Sequence, residues 1–316
     1  MKRYTCQVES CGSIINFVSS VDLYPNLCAL AKDSYIPDMR VTRAAKIDNT
    51  PRLVYVDSPH EENLVFSAGE VIVRYPWEMM RDGESLLYLS YPLIEVQRQL
   101  QGDLTAHAAC ISIDNRGVLL LGKEGSGKTT LAIELCQKHS ARLVANDLCI
   151  LGERQGNIIA RGGTKFFFLR RESISRNLPR LLHLFPTASG DSWLDKTKVD
   201  HTQLGVETED RIVNISNAFM LHVDETKTEL HTCFADTLVT RLYLNENFSR
   251  YIRSTCTVMT GGSNFELLGY IPSLDCEEFY KMRKQVIKGV LNSSPQYISG
   301  PVHLVADYIA NLQRHG

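Results

Sequence analysis

The run Gly122-Lys123-Glu124-Gly125-Ser126-Gly127-Lys128-Thr129 constrains this chain more than any other. It fits G-x-x-x-x-G-K-[ST] at every fixed position and lies between an apolar run, residues 118–121, and a helical segment, residues 129–138. A strand feeding a glycine loop and then a helix belongs in an α/β layer. Glycines let backbone N–H groups turn inward around phosphate oxygens, and the helix start adds a positive dipole end at the same point. Lys128 supplies a mobile positive charge for the outer phosphates, and Thr129 places a hydroxyl where Mg²⁺ takes an oxygen ligand. Glu124, Gly125, Ser126 and Thr130 complete the cradle. The motif therefore predicts a nucleoside triphosphate, ATP or GTP, with Mg²⁺.

Around this loop, apolar strands alternate with loops and helices. Residues 105–113 and 117–122 read as paired strands joined by Asp114-Asn115-Arg116, and residues 142–151 as one buried strand. Residues 218–223 form another strand candidate, and 234–253, 275–291 and 302–312 read as helices. The first hundred residues differ. Short β-type runs at 14–18, 53–56, 64–66 and 70–74 are separated by Pro, Gly, Asn and Asp, and residues 83–101 read as a helix that Pro92 should kink or break. The pattern predicts a strand-rich module over 1–102 and an α/β domain over 103–316.

A net charge of −2 over 316 residues gives no bulk attraction to nucleic acid or an anionic membrane, so any basic function is local. No run approaches the ~18 apolar residues of a membrane span. Nine cysteines show no repeated metal spacing and read as reduced thiols of a cytoplasmic protein, with Cys110, Cys136 and Cys149 packed in a core. The run 170–176, with three arginines, lacks the aromatic interleaving of a base-stacking surface. His60, Glu61 and Glu62 read as a solvated loop tip.

Two segments compete to supply a carboxylate for metal and acceptor. One is Leu143-Val144-Ala145-Asn146-Asp147, which follows the loop helix directly; the other is Phe219-Met220-Leu221-His222-Val223-Asp224-Glu225, an apolar run ending in two acids. Either could instead be a solvated strand end.

The order of residues from His107-Ala108-Ala109, through the loop with its Gly125-Ser126-Gly127-Lys128-Thr129-Thr130 ending, to Asn146-Asp147 resembles the HPr kinase/phosphorylase-like kinases, related in fold to phosphoenolpyruvate carboxykinases. The resemblance implies a P-loop kinase core of mixed β-sheet with helices, preceded by the smaller module. It implies a Mg²⁺-dependent kinase that moves the γ-phosphate of ATP to a hydroxyl. The acceptor would be a serine-type side chain of a peptide or protein, or a small biosynthetic intermediate. Carried over by position, His107 lies near the phosphates and Asp147 acts as base and metal ligand. Asn146 stands where the family has the first of two acids; it can ligate metal through oxygen but cannot accept a proton. The resemblance also brings Arg161, in a glycine-containing turn with Lys165, and Lys196 or Lys198 toward the phosphates. The first module, in which nothing is catalytic by pattern, is expected to shape the acceptor site or a homo-oligomer interface. The competing reading is a nucleotide-binding regulatory protein with little catalysis, which Asn146 favours. A carboxykinase activity lacks a second metal site of His and Lys.

Overall fold

The computed structural model describes residues 2–44, 51–67, 69–185, 196–253 and 258–315. Contacts divide the chain into two compact units, Met1–Thr105 with Phe248–Arg283, and Ala106–Asn247 with Lys284–Gly316. In the first, alternation of buried and half-exposed residues, as along Glu70–Tyr75, produces strands with one face toward a core. Six form a mixed sheet in the order Met39–Arg43, Tyr4–Ser10, Ser13–Ser19, Arg52–Asp57, Glu70–Tyr75, Asn63–Ser67. The helix Glu84–Leu100 buries Leu86, Leu89 and Leu93 in the same core. It runs through Pro92, which is itself buried and does not end it, because side-chain packing offsets the missing backbone donor. Met259 and Ile271 join this core, so Phe248–Arg283 belongs with the first unit.

The second unit is built on a mixed sheet in the order Arg142–Ala145, Ala109–Ile113, Arg116–Leu121, Val213–Val223, Asn157–Gly163, Leu148–Arg154, with the His107 end of Asp103–His107 beyond. Val213–Val223 is forked. Its first residues pair with Asn157–Gly163, and Phe219 to Val223 pair in parallel with Gln296–Gly300. Along its length it is parallel to Arg116–Leu121, the strand that feeds the glycine loop. Helices Lys128–Lys138 and Val302–His315 cover one core through Leu131, Leu135, Val305 and Ile309. Asp114 and Asn115, both with positive φ, make the two-residue turn between Ala109–Ile113 and Arg116–Leu121, a geometry these short polar residues tolerate.

Two strands expected to be continuous are interrupted. Residues 105–113 divide at Ala108 into Asp103–His107 and Ala109–Ile113, and residues 142–151 divide at Asn146-Asp147 into Arg142–Ala145 and Leu148–Arg154. Asp147 sits at φ 69°, which reverses the chain there, and the Ala108 N–H donates to the Asp147 carbonyl at 3.1 Å. The breaks meet. Hydrophobic alternation does not register them, because buried residues continue on both sides.

Candidate active site at the glycine loop

Glycine is required at two loop positions for reasons of space as well as torsion. At Gly122 (φ 148°) a Cβ would lie 2.5 Å from Ser126 Oγ, and at Gly127 (φ 92°) it would lie 2.5 Å from Val223 Cβ. The Val223 N–H donates to the Ser126 carbonyl at 2.9 Å, which fastens the loop to the end of the forked strand. Lys128 is buried, and its Nζ donates to the carbonyls of Gly122 (2.9 Å) and Lys123 (3.0 Å). Ser126 Oγ is buried with no hydrogen-bond partner among the described residues. An anion seated at the loop would satisfy it, so the loop fits a phosphate group by the chemistry of its donors.

Beside the loop, Thr129 Oγ1 donates to Asn146 Oδ1 at 3.1 Å, and Asn146 Nδ2 donates to the Phe166 carbonyl at 3.3 Å. The amide is thereby oriented with its oxygen toward Thr129. Asp147 follows, half-exposed, with Oδ1 3.3 Å from His107 Nδ1. Thr129, Asn146 and Asp147 offer only oxygens, the donor set that suits Mg²⁺. Among the described residues no cluster of three or more His, Cys, Asp or Glu forms a metal site.

The competing acids have other partners. Asp224 Oδ1 accepts from the Thr226 N–H and hydroxyl, which lowers its pKa from the ordinary carboxylate value, and Glu225 Oε1 accepts from Val302 N–H at the start of the last helix. Both act as turn and helix caps. Lys165, grouped with Arg161 in the glycine-containing turn, is held inside the unit: its Nζ donates to the carbonyls of Leu143 (3.0 Å) and Glu209 (2.7 Å), and burial lowers its pKa against the opposing effect of Asp210. Arg161 is half-buried on Asn157–Gly163. Lys196 and Lys198 lie on Lys196–Asp200, which pairs with Phe166–Arg170, and Lys198 Nζ is 4.6 Å from the centre of the Phe166 ring. That strand pair reaches the loop at the end where Arg170 pairs with Lys196, and Arg170 Nη2 lies 3.5 Å from Glu124 Oε1. Gly125 and Thr130 lie in the loop and in the buried first turn of its helix.

Two residues that the sequence does not single out join these parts. On the helix Thr237–Ser249, Tyr243 Oη donates to the Gly122 carbonyl (2.8 Å) and accepts from the Gly122 N–H (2.9 Å). One turn on, Asn247 accepts from the His107 N–H (2.8 Å) and donates to the His107 carbonyl (2.9 Å) and to Tyr243 Oη (3.0 Å). Nothing in the sequence marks them, because the helix that carries them holds several other polar residues, Arg241, Asn245 and Glu246 among them.

No protein-family model matches the chain, and no curated protein matches it. Among solved structures it is similar to the HPr(Ser) kinase/phosphatase from Coxiella burnetii at 16% identity and a TM-score of 0.25, covering 42% of this chain and 77% of that one. At that TM-score the likeness does not establish a shared fold.

Proposed function

We propose that this chain is a Mg²⁺-dependent phosphotransferase that binds ATP at residues Gly122 to Thr129 and transfers its γ-phosphate to a hydroxyl. The observation that carries the reading is the meeting of two strand breaks beside the loop, which sets Asp147 against His107 and its neighbour Asn146 against Thr129. Phosphoryl transfer asks for positioning and charge neutralisation more than for covalent chemistry. Lys128 and the loop N–H groups hold the phosphates. Thr129, Asn146 and Asp147 would hold Mg²⁺, whose contribution is to neutralise phosphate charge. Asp147, half-exposed, takes the proton of the acceptor hydroxyl. His107 at 3.3 Å orients that carboxylate. Arg161, Lys196 and Lys198 are assigned to the phosphates by the family resemblance. The unit Ala106–Asn247 with Lys284–Gly316 carries the chemistry, and the unit Met1–Thr105 with Phe248–Arg283 shapes the acceptor site or an interface between copies. The acceptor is a serine-type hydroxyl of a peptide or protein, or a small molecule.

Transfer of label from γ-labelled ATP to candidate peptides or a cell extract tests this. Asp147→Asn should reduce transfer by about 10²-fold or more, the usual contribution of a general base, and leave nucleotide affinity within a few-fold. If Asp147→Asn transfers label as fast as the wild type, the base assignment is wrong. The second reading, a nucleotide-dependent regulator, rests on Asn146 holding the place of an acid. It predicts saturable nucleotide binding without label reaching any acceptor.

A further inference from the structure

We infer that Asn247 and Tyr243 are positioning residues for the transfer, which set the base Asp147 at its distance from the loop that holds the phosphates. The inference rests on the phosphotransfer reading of the site. His107 is the last residue of its strand, beside the break at Ala108. An asparagine side chain ends in a peptide-like amide, and Asn247 uses it there as a facing strand residue would. Its Oδ1 accepts from the His107 N–H at 2.8 Å, and its Nδ2 donates to the His107 carbonyl at 2.9 Å. Turning the amide over would set donor against donor and acceptor against acceptor, so one orientation serves. Asn247 is buried, which keeps water from competing for these bonds.

Nδ2 also donates to Tyr243 Oη at 3.0 Å, and that hydroxyl holds both the N–H and the carbonyl of Gly122, the first residue of the loop. On the other side, the His107 imidazole lies 3.3 Å from the Asp147 carboxylate, and the Ala108 N–H donates to the Asp147 carbonyl. An unbroken run of contacts therefore leads from Gly122 through Tyr243, Asn247 and His107 to Asp147, carried by one turn of the helix Thr237–Ser249. In-line transfer needs the base and the phosphate in register, and a misplacement of about 1 Å costs about 10²-fold in rate. Asn247 bonds to His107 and Tyr243, so its loss should fall on the rate and spare nucleotide binding.

Two readouts on the full chain test this. One is label leaving γ-labelled ATP, to phosphate or to a component of a cell extract, at saturating ATP and Mg²⁺; the other is calorimetric affinity for a non-hydrolysable ATP analogue. Asn247→Leu should lower the maximal rate about 10- to 100-fold and leave affinity within about three-fold, the split of a group that acts only in the transition state. Added to Asp147→Asn, it should cost no more than about two-fold, because the base that it positions is gone; a merely structural asparagine would cost the same factor in both backgrounds. Tyr243→Phe, which removes one oxygen and keeps the ring, should repeat the pattern with a loss of about 3- to 10-fold, and it carries the test if Asn247→Leu does not fold. Wild-type rates in both variants, or equal losses with and without the Asp147 carboxylate, overturn the positioning role and leave the transfer reading standing. A wild-type chain that moves no label overturns the transfer reading, and Asp147→Asn at the wild-type rate overturns the base assignment; either takes the positioning role with it.

Discussion

Positive φ alone does not explain why the loop needs glycine; the neighbours decide how much each one matters. A methyl on Gly125 (φ 78°) would have nothing within 4 Å, whereas a methyl on Gly127 meets Val223. Gly125→Ala should cost about 1–2 kcal/mol of stability, the strain of a left-handed alanine. Gly127→Ala adds overpacking against a strand end, about 1–3 kcal/mol more, and should lower nucleotide affinity by about 10-fold or more. Chemical denaturation of both variants compares them directly; equal losses would mean that Val223 is not the constraint. The glycines, Lys128 and Thr129 were legible in the sequence because their spacing is local. Tyr243 and Asn247 were not, since their bonds to Gly122 and His107 span 121 and 140 residues and leave no periodic trace.

At the scale of elements, hydrophobic pattern located the strands next to the glycine loop and the longer helices, did not register strands such as Asn157–Gly163 and Gln296–Gly300, and read two broken strands as whole. Both breaks carry site residues, and burial on either side hides a change in direction that only Asp147's left-handed backbone reveals. The strand Arg142–Ala145 is secured by Glu209. Its N–H donates to the Leu143 carbonyl, its own carbonyl accepts from Lys165, and its carboxylate takes three bonds from Arg211. The Arg211 guanidinium and N–H hold Glu209 down to about 2, against burial, from an ordinary 4.5. A carboxylate whose folded pKa is depressed contributes stability above its unfolded pKa and loses it as the pH falls toward the folded one. Glu209→Gln should therefore melt below the wild type at pH 7, and the gap should close between about pH 4.5 and 2. Tm measured across that range checks it; a constant gap would show that Glu209 acts through shape instead of charge.

For the whole molecule, the consequence of the discontinuous first unit is that no single cut separates the two. A fragment beginning at residue 103 keeps Met259 and Ile271, which are 3% and 4% exposed, and deletes the strands and helix they pack with. It should lose protection of amide hydrogens across Phe248–Arg283 and aggregate, while a fragment that also omits this segment and bridges it with a short linker should stay soluble. The helix Thr237–Ser249, which fastens Gly122 and His107, also has a consequence in the order of synthesis. His107 leaves the ribosome 140 residues ahead of Asn247, a lag of roughly 7–28 s at ordinary rates of translation. The cell thus makes the glycine loop well before it makes the clasp, and chains stalled short of residue 243 should capture nucleotide poorly in a pull-down on immobilised ATP, with capture rising once the clasp has emerged.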